Sequence, residues 1–289
     1  MHPSPQNLRR HEQFHSAFLP DDRDVLVWLP PGYHEGSHEG SHGGSHGGSH
    51  EGSHEGSRVR RYPVLYMHDG QNLFDPETAY QKGHHWRVGE TATELISAGS
   101  VEPLIIVGIY NTGTSRIQEY TPTRVRKLGG GLANDYGRLI VDELKPLIDA
   151  TYRTRPEAAH TGLAGSSLGA LATLHLAYRY PTTFGRLGVL SPSVWWDRRT
   201  LLRTVRGTRP APPFKLWVDM GTAEGRRGLA DARSLKKALI HAGFVEGLDL
   251  RYREYDGATH SEDAWASRVG PMLEWLYPQP AEAADAGVS

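Results

Sequence analysis

The chain has 289 residues, with 32 Lys and Arg against 33 Asp and Glu for a formal net charge of −1. That balance supplies no basic footprint for nucleic acid and no acidic tail. With no cysteine, disulfides, thiolate metal sites and a cysteine nucleophile are excluded.

No apolar stretch reaches the 18 or more residues, roughly, that a membrane span requires, and residues 1–18 are polar, with no apolar leader. The expectation is a cytoplasmic protein without membrane or nucleic-acid partners, folded as one domain over residues 1–278 with a frayed Ala- and Pro-rich tail at 279–289. Residues 12–19 and 24–29 read as two early strands joined by a turn at Asp21 and Asp22, and Pro30-Pro31-Gly32 ends the second. From His34 to Ser57 a four-residue unit, His-(Glu or Gly)-Gly-Ser, repeats, placing histidines at 34, 38, 42, 46, 50 and 54. Such spacing would align them on one face of a helix, but the Gly and Ser content opposes a helix. The segment reads as a flexible insertion between strands, where added length costs little. Metal or proton binding by it is the alternative.

Pro63–Met67 reads as a buried strand running into the polar loop His68-Asp69-Gly70-Gln71-Asn72. Apolar residues at 88, 92 and 95 predict a helix over 86–98, stopped by Gly99. Leu104–Tyr110 is a continuous apolar run, as expected of a central parallel strand. A polar loop, 111–122, carries Arg116, Glu119 and Tyr120; substrate contact or an internal ion pair with a packed tyrosine are both open there. Tyr136, Leu139, Ile140, Leu144, Leu147 and Ile148 mark one amphipathic helix.

Gly165-Ser166-Ser167-Leu168-Gly169 matches G-x-S-x-G. An apolar run precedes it and a helix-forming run, Ala170–Leu174, follows, the strand–turn–helix context of a nucleophile elbow. Ser167 would sit strained at the turn, and the Leu168 N–H would face the same space and help to hold an oxyanion. Gly165 and Gly169 are small where strand and helix must pass closely. Further strands are read at Leu187–Leu190, Lys215–Met220 and Leu250–Tyr255, with helices over 230–242 and from Trp265 to Leu276. Strands alternating with helices predict an α/β fold with a mostly parallel sheet and N-terminal antiparallel strands. Ligands bind such sheets beyond the C-terminal strand ends.

A serine hydroxyl needs a base to become nucleophilic, and the base needs an acid to fix its tautomer. Ser167, Glu224 and His260 each follow a separate predicted strand and fall in the order nucleophile, acid, base. His175 and His241 lie within helices, which leaves His260 as the base. Glu224 lies in a loop and is favoured over Asp219, still within its strand, and over Asp231, which opens the next helix. Asn72, Arg116, Tyr120, Trp195 and Trp196 are candidate walls of a substrate pocket; for the two tryptophans core packing is the alternative.

Several segments carry a resemblance: Leu29-Pro30-Pro31-Gly32-Tyr33, Tyr62 through Asp75, Glu119-Tyr120-Thr121-Pro122, Ala164 through Gly169, Ser191-Pro192-Ser193-Val194-Trp195-Trp196, Gly221-Thr222-Ala223-Glu224, and His260 with Glu262 and Trp265. In them the chain resembles the putative esterase family of α/β hydrolases, which includes enterochelin esterases, feruloyl esterases, S-formylglutathione hydrolases and mycolyltransferases; it is most similar to the enterochelin-esterase branch. The resemblance implies a serine carboxylic-ester hydrolase with a Ser167–His260–Glu224 triad and an acyl-enzyme intermediate, acting on a small-molecule ester without metal or organic cofactor. It also implies an oxyanion hole from the backbone N–H groups of Gln71 and Leu168. Ala170 stands where many relatives carry a second glycine, and the histidine repeat is foreign to the family pattern. An acyltransferase using the same triad, and a metal-binding protein working through the repeat, are the rival readings.

Overall fold

The computed structural model describes residues 7–34, 59–208 and 212–280. Apart from His34, the histidine repeat lies outside them, as does the tail beyond 280. One eight-stranded sheet is ordered β1-β2-β4-β3-β5-β6-β7-β8. Strands β1 (Leu8–Phe14), β2 (Arg23–Trp28), β3 (Val64–His68) and β4 (Ile105–Ile109) form one half. Strands β5 (Thr161–Ser166), β6 (Arg186–Leu190), β7 (Lys215–Gly221) and β8 (Leu250–Tyr255) form the other. β1 runs antiparallel to β2 and β2 antiparallel to β4, and every other pairing is parallel. The α/β-hydrolase architecture expected from the alternation of strands and helices is therefore observed.

The first strand differs from its expectation. It spans Leu8–Phe14 rather than 12–19, because it is an edge strand whose pairing is set by β2 and whose residues are half-buried or exposed, leaving no apolar run to read. Ser16 and Ala17 instead leave the sheet to bond the carboxylate of Glu143.

Helix α1 (Val88–Ser97) packs on one face of the sheet together with the last helix, α8 (Glu262–Leu276), around Trp28, Trp86, Ala92, Val269 and Met272. The 111–122 loop contains a short helix, α2 (Arg116–Glu119). The predicted single helix over 136–148 is α3 (Ala133–Arg138), a wide π turn (Leu139–Leu144) and α4 (Lys145–Thr151) in unbroken succession. Hydrophobic periodicity does not report a locally changed number of residues per turn. These pieces, with α5 (Leu168–Arg179), α6 (Trp196–Gly207) and α7 (Arg226–Ala242), cover the opposite face. Helix α6 has no counterpart in the sequence reading; its first residues, Asp197, Arg198 and Arg199, have positive φ and obscure a regular pattern.

Candidate active site

β5 is buried along its whole length and passes directly into α5 through Ser167, whose φ of 58° and ψ of −119° lie outside the regions open to most non-glycine residues. Such a conformation costs on the order of 1–3 kcal/mol and persists only when its surroundings hold it. Here the Ser167 N–H donates to Leu190 O at 3.0 Å, and its carbonyl accepts from Ser193 N at 3.0 Å and Leu171 N at 3.2 Å. Leu168 N–H belongs to the first turn of α5, has no acceptor within its own helix, and lies at the positive end of the helix dipole.

Glu224 follows β7. Its side chain is 3% exposed, and its two oxygens have different work. Oε1 accepts from the Ser191 hydroxyl at 2.6 Å and from Gly221 N–H at 2.8 Å. Oε2 is 2.6 Å from His260 Nδ1. Burial pushes the carboxyl up, but the bonds from His260, Ser191 and Gly221 outweigh it and hold Glu224 below the usual carboxylate range. With Nδ1–H committed to Glu224, Nε2 of the neutral His260 ring is the acceptor. The ring also packs edge-on against Trp265, centroids 4.8 Å apart. Backbone bonds from Thr222 N to Tyr255 O and from Ala223 N to Ala258 O tie the loop bearing Glu224 to the loop bearing His260.

Ser167, Leu168 and His260 line one cavity of about 670 Å³, shared with Asp69, Asn72 and Arg116. The Ser167 hydroxyl is bonded to Ser193 Oγ at 3.4 Å, and among the described residues no hydrogen bond joins it to His260.

The opposite wall is built from the loop after β3. Asp69 has a left-handed backbone, φ 57°. Its carboxylate receives both Nε and Nη2 of Arg116, at 2.7 and 2.8 Å, and Asn111 Nδ2 at 2.7 Å. Burial would raise Asp69, yet Arg116 and Asn111 keep it below its ordinary value. Gln71 lies in the tight turn Gly70–Asn72, where the N–H groups of Asn72 and Leu73 bond back to Asp69 and Gly70. Its side-chain oxygen accepts from Asn111 N–H at 3.2 Å and its carbonyl from the Thr78 hydroxyl at 2.8 Å. Asp69 and Asn72, on either side of it, line the cavity there, and Gln71 itself does not.

Of the expected pocket residues, Asn72 and Arg116 line the cavity, while Tyr120, Trp195 and Trp196 do not. Tyr120 is fully buried beneath the wall and accepts from Asp69 N–H at 3.1 Å. Trp196 is a core residue bonded to Thr123, and Trp195 is 42% exposed and packs on Trp196. Arg116 pairs with Asp69, and Glu119 with the buried Arg23, so neither of the two charges in that loop pairs with the other. Asp219 is fully buried and held by Trp217 Nε1 and Arg268, and among the described residues no hydrogen bond joins it to a histidine. His175 and His241 lie within α5 and α7.

Two residues with no site role read from the sequence lie behind Glu224, on its Oε1 edge. Ser191 follows β6 beside the elbow. Arg268 lies on the buried stripe of α8 formed by Trp265, Val269, Met272 and Leu276; a cation on an otherwise apolar stripe was the available signal. Among the described residues, no group of three or more His, Cys, Asp or Glu could hold a metal ion, and no helix is long and apolar enough to cross a membrane.

Comparison with known proteins gives this geometry a family. A family profile described as "Putative esterase" matches residues 52–276. An uncharacterized Bacillus subtilis protein, YbbA, is 26% identical over 274 residues, covering 89% of this chain and 93% of its own. A siderophore enterobactin esterase of Emericella nidulans is 26% identical over 155 residues, covering half of each chain. Among solved structures, an IroE-like serine hydrolase from Shewanella oneidensis superposes with a TM-score of 0.70 at 20% identity, covering 93% of this chain and 80% of that one; at that identity the likeness is one of fold. The profile spans most of the chain, and with it the chain belongs to the putative esterase family of α/β hydrolases and is a carboxylesterase-type hydrolase.

Proposed function

We propose that the protein hydrolyses small-molecule carboxylic esters through a Ser167–His260–Glu224 triad and an acyl-enzyme. The observation that carries this reading is the 2.6 Å bond from His260 Nδ1 to a buried Glu224, in a cavity whose wall also presents the strained Ser167. Ser167 Oγ attacks the ester carbonyl carbon while His260 Nε2 takes its proton, and Glu224 stabilises the imidazolium that forms. The developing oxyanion is met by the N–H groups of Leu168 and Gln71. The tetrahedral adduct then expels the alcohol, which takes the proton from His260, and leaves Ser167 acylated. Water, deprotonated by His260, attacks the acyl carbon and restores the serine. A cavity of about 670 Å³ is in the range that accepts a compact organic ester.

Hydrolysis of p-nitrophenyl acetate, butyrate and octanoate by the wild type and by Ser167→Ala tests this. The expected result is turnover in the wild type and a loss of about 10³-fold or more in the variant, together with fluorophosphonate labelling of the wild type alone. A variant that keeps its rate within about tenfold of the wild type would remove Ser167 from the mechanism.

A further inference from the structure

Behind Glu224, on the side away from His260, is a cluster that the triad does not require. Arg268 is fully buried, and its guanidinium reaches four partners. Nη1 donates to Asp219 Oδ1 and to Ser191 Oγ, each at 3.0 Å. Nη1 and Nη2 both lie 3.3 Å from Glu224 Oε1. Nη2 also donates to the carbonyl of Thr259 at 3.2 Å, the residue before His260. One side chain of α8 therefore touches the acid after β7, the serine after β6 and the loop that carries the base.

The charges are uneven. Asp219 and Glu224 bring two carboxylates, and Arg268 brings one cation. Other groups facing the cluster are Tyr255, whose ring lies 5.3 Å from the Arg268 guanidinium, and Tyr252 on the same strand, β8. Both phenols are raised by burial and stay neutral across the working pH range, Tyr255 titrating at about 12. Trp217 and Trp265 contribute neutral N–H donors. Glu262 lines the same cavity as His260. Burial raises Asp219 to about 6, so above that pH the buried cluster is one negative charge in excess while His260 is neutral, and balanced when His260 is protonated. In a medium of low dielectric that difference is felt strongly.

We propose that Arg268, counterbalanced by Asp219, is the positioning residue of the site, holding the Oε1 edge of Glu224 and setting the cluster's charge so that it is balanced only when His260 carries a proton. This rests on the triad reading. Removing Arg268 would leave two buried carboxylates to repel each other, which raises both. Asp219, already raised to about 6 by burial, takes a proton first; above that point the two charges hold His260 protonated, and a proton on Glu224 takes away the partner of the base. Both routes move the acidic limb of activity to higher pH. Removing the Asp219 charge does the opposite.

The experiment is kcat/KM for p-nitrophenyl acetate from pH 5 to 9 in the wild type, Arg268→Met, Asp219→Asn and the double variant, with Ser167→Ala as control. The expected acidic limb rises by roughly half to one pH unit in Arg268→Met, falls in Asp219→Asn, and returns to near the wild-type position in the double variant. A merely structural arginine would lower kcat in the first variant and leave every limb where it was, which overturns the proposal. Should Arg268→Met fail to fold, Asp219→Asn alone decides, by a limb that falls or one that does not move. Loss of activity in Ser167→Ala with unmoved limbs sinks only the Arg268 inference, whereas activity surviving Ser167→Ala sinks the triad itself.

Discussion

The hydroxyl of Ser191 donates to Glu224 Oε1 at 2.6 Å and accepts from Trp265 Nε1 and Arg268 Nη1, each at 3.0 Å. A hydroxyl has one donor and two acceptor positions, so its capacity is fully used, in a residue only 1% exposed. Ser191→Ala leaves two buried donors and one carboxylate oxygen short of a partner. The expected cost is about 1–3 kcal/mol, read as a lower urea midpoint at pH 7 with an unchanged slope, and accompanied by a lower kcat/KM. A midpoint equal to the wild type would mean that water replaces the hydroxyl at no cost. At this scale Ser167, Glu224 and His260 could each be placed at a strand end from the sequence, and the structure puts His260 on Glu224 and on the same cavity as Ser167. Ser191 and Arg268 were not readable as parts of the site. Their partners come from strands and helices far apart in the chain, and no window of sequence brings those together. For the same reason Arg116 could be placed in a loop at the site but not paired with Asp69, 47 positions earlier.

The elbow works because two elements cross at close range. A Cβ on Gly165 would lie 2.9 Å from the His68 ring and 3.0 Å from the backbone carbon of Gly169, so β5, α5 and the end of β3 meet with no room for a methyl group. Gly165→Ala must therefore move the start of α5, and Ser167 with it. The expected cost is about 1–3 kcal/mol, with fluorophosphonate labelling of Ser167 slowed by more than the lost stability accounts for. Labelling at the wild-type rate in a folded variant would show that the elbow yields elsewhere. The need for small residues on both sides of Ser167 could be argued from the motif, since the close approach is local. Element ends away from such crossings were less legible. β1 is a polar edge strand specified by its partner, the π turn within 139–144 leaves the apolar spacing almost unchanged, and α6 opens on three residues of positive φ. Each is decided by tertiary contact rather than by local pattern.

For the whole molecule, the order of strands and helices carried the fold, because a parallel sheet needs a helix between neighbouring strands and places every loop of interest at one edge. The loops after β3, β5, β7 and β8 share that edge, and the fold stores there a group that couples the site to acid stability. His68 is fully buried, its Nδ1 bonded to the Tyr136 hydroxyl at 2.8 Å, and it packs against the elbow glycines. Burial lowers it from the ordinary value to about 4, with the opposing pull of Asp69 too weak to restore it. In the unfolded chain the ring titrates near its ordinary value, about 6.5. Above that pH both states are neutral and stability is fully present. As pH falls, the unfolded chain binds the proton first, and stability is lost progressively until the folded value near 4 is reached. The shift corresponds to a loss of at most about 3 kcal/mol. His175, also lowered to about 4 by burial, adds a second loss in the same window, so the informative quantity is the difference between the wild type and His68→Gln. Asp69 acts in a separate window: its depressed carboxyl stabilises the fold above the ordinary carboxylate range and loses that effect only at lower pH. Urea denaturation at pH 7.5 and pH 4.5 should therefore show the wild type losing more stability between the two than His68→Gln does, by about 1–3 kcal/mol. Equal losses in the two proteins would mean that the folded state protonates His68 without penalty, and that the ring is reached by water through the same loop that forms the wall of the cavity.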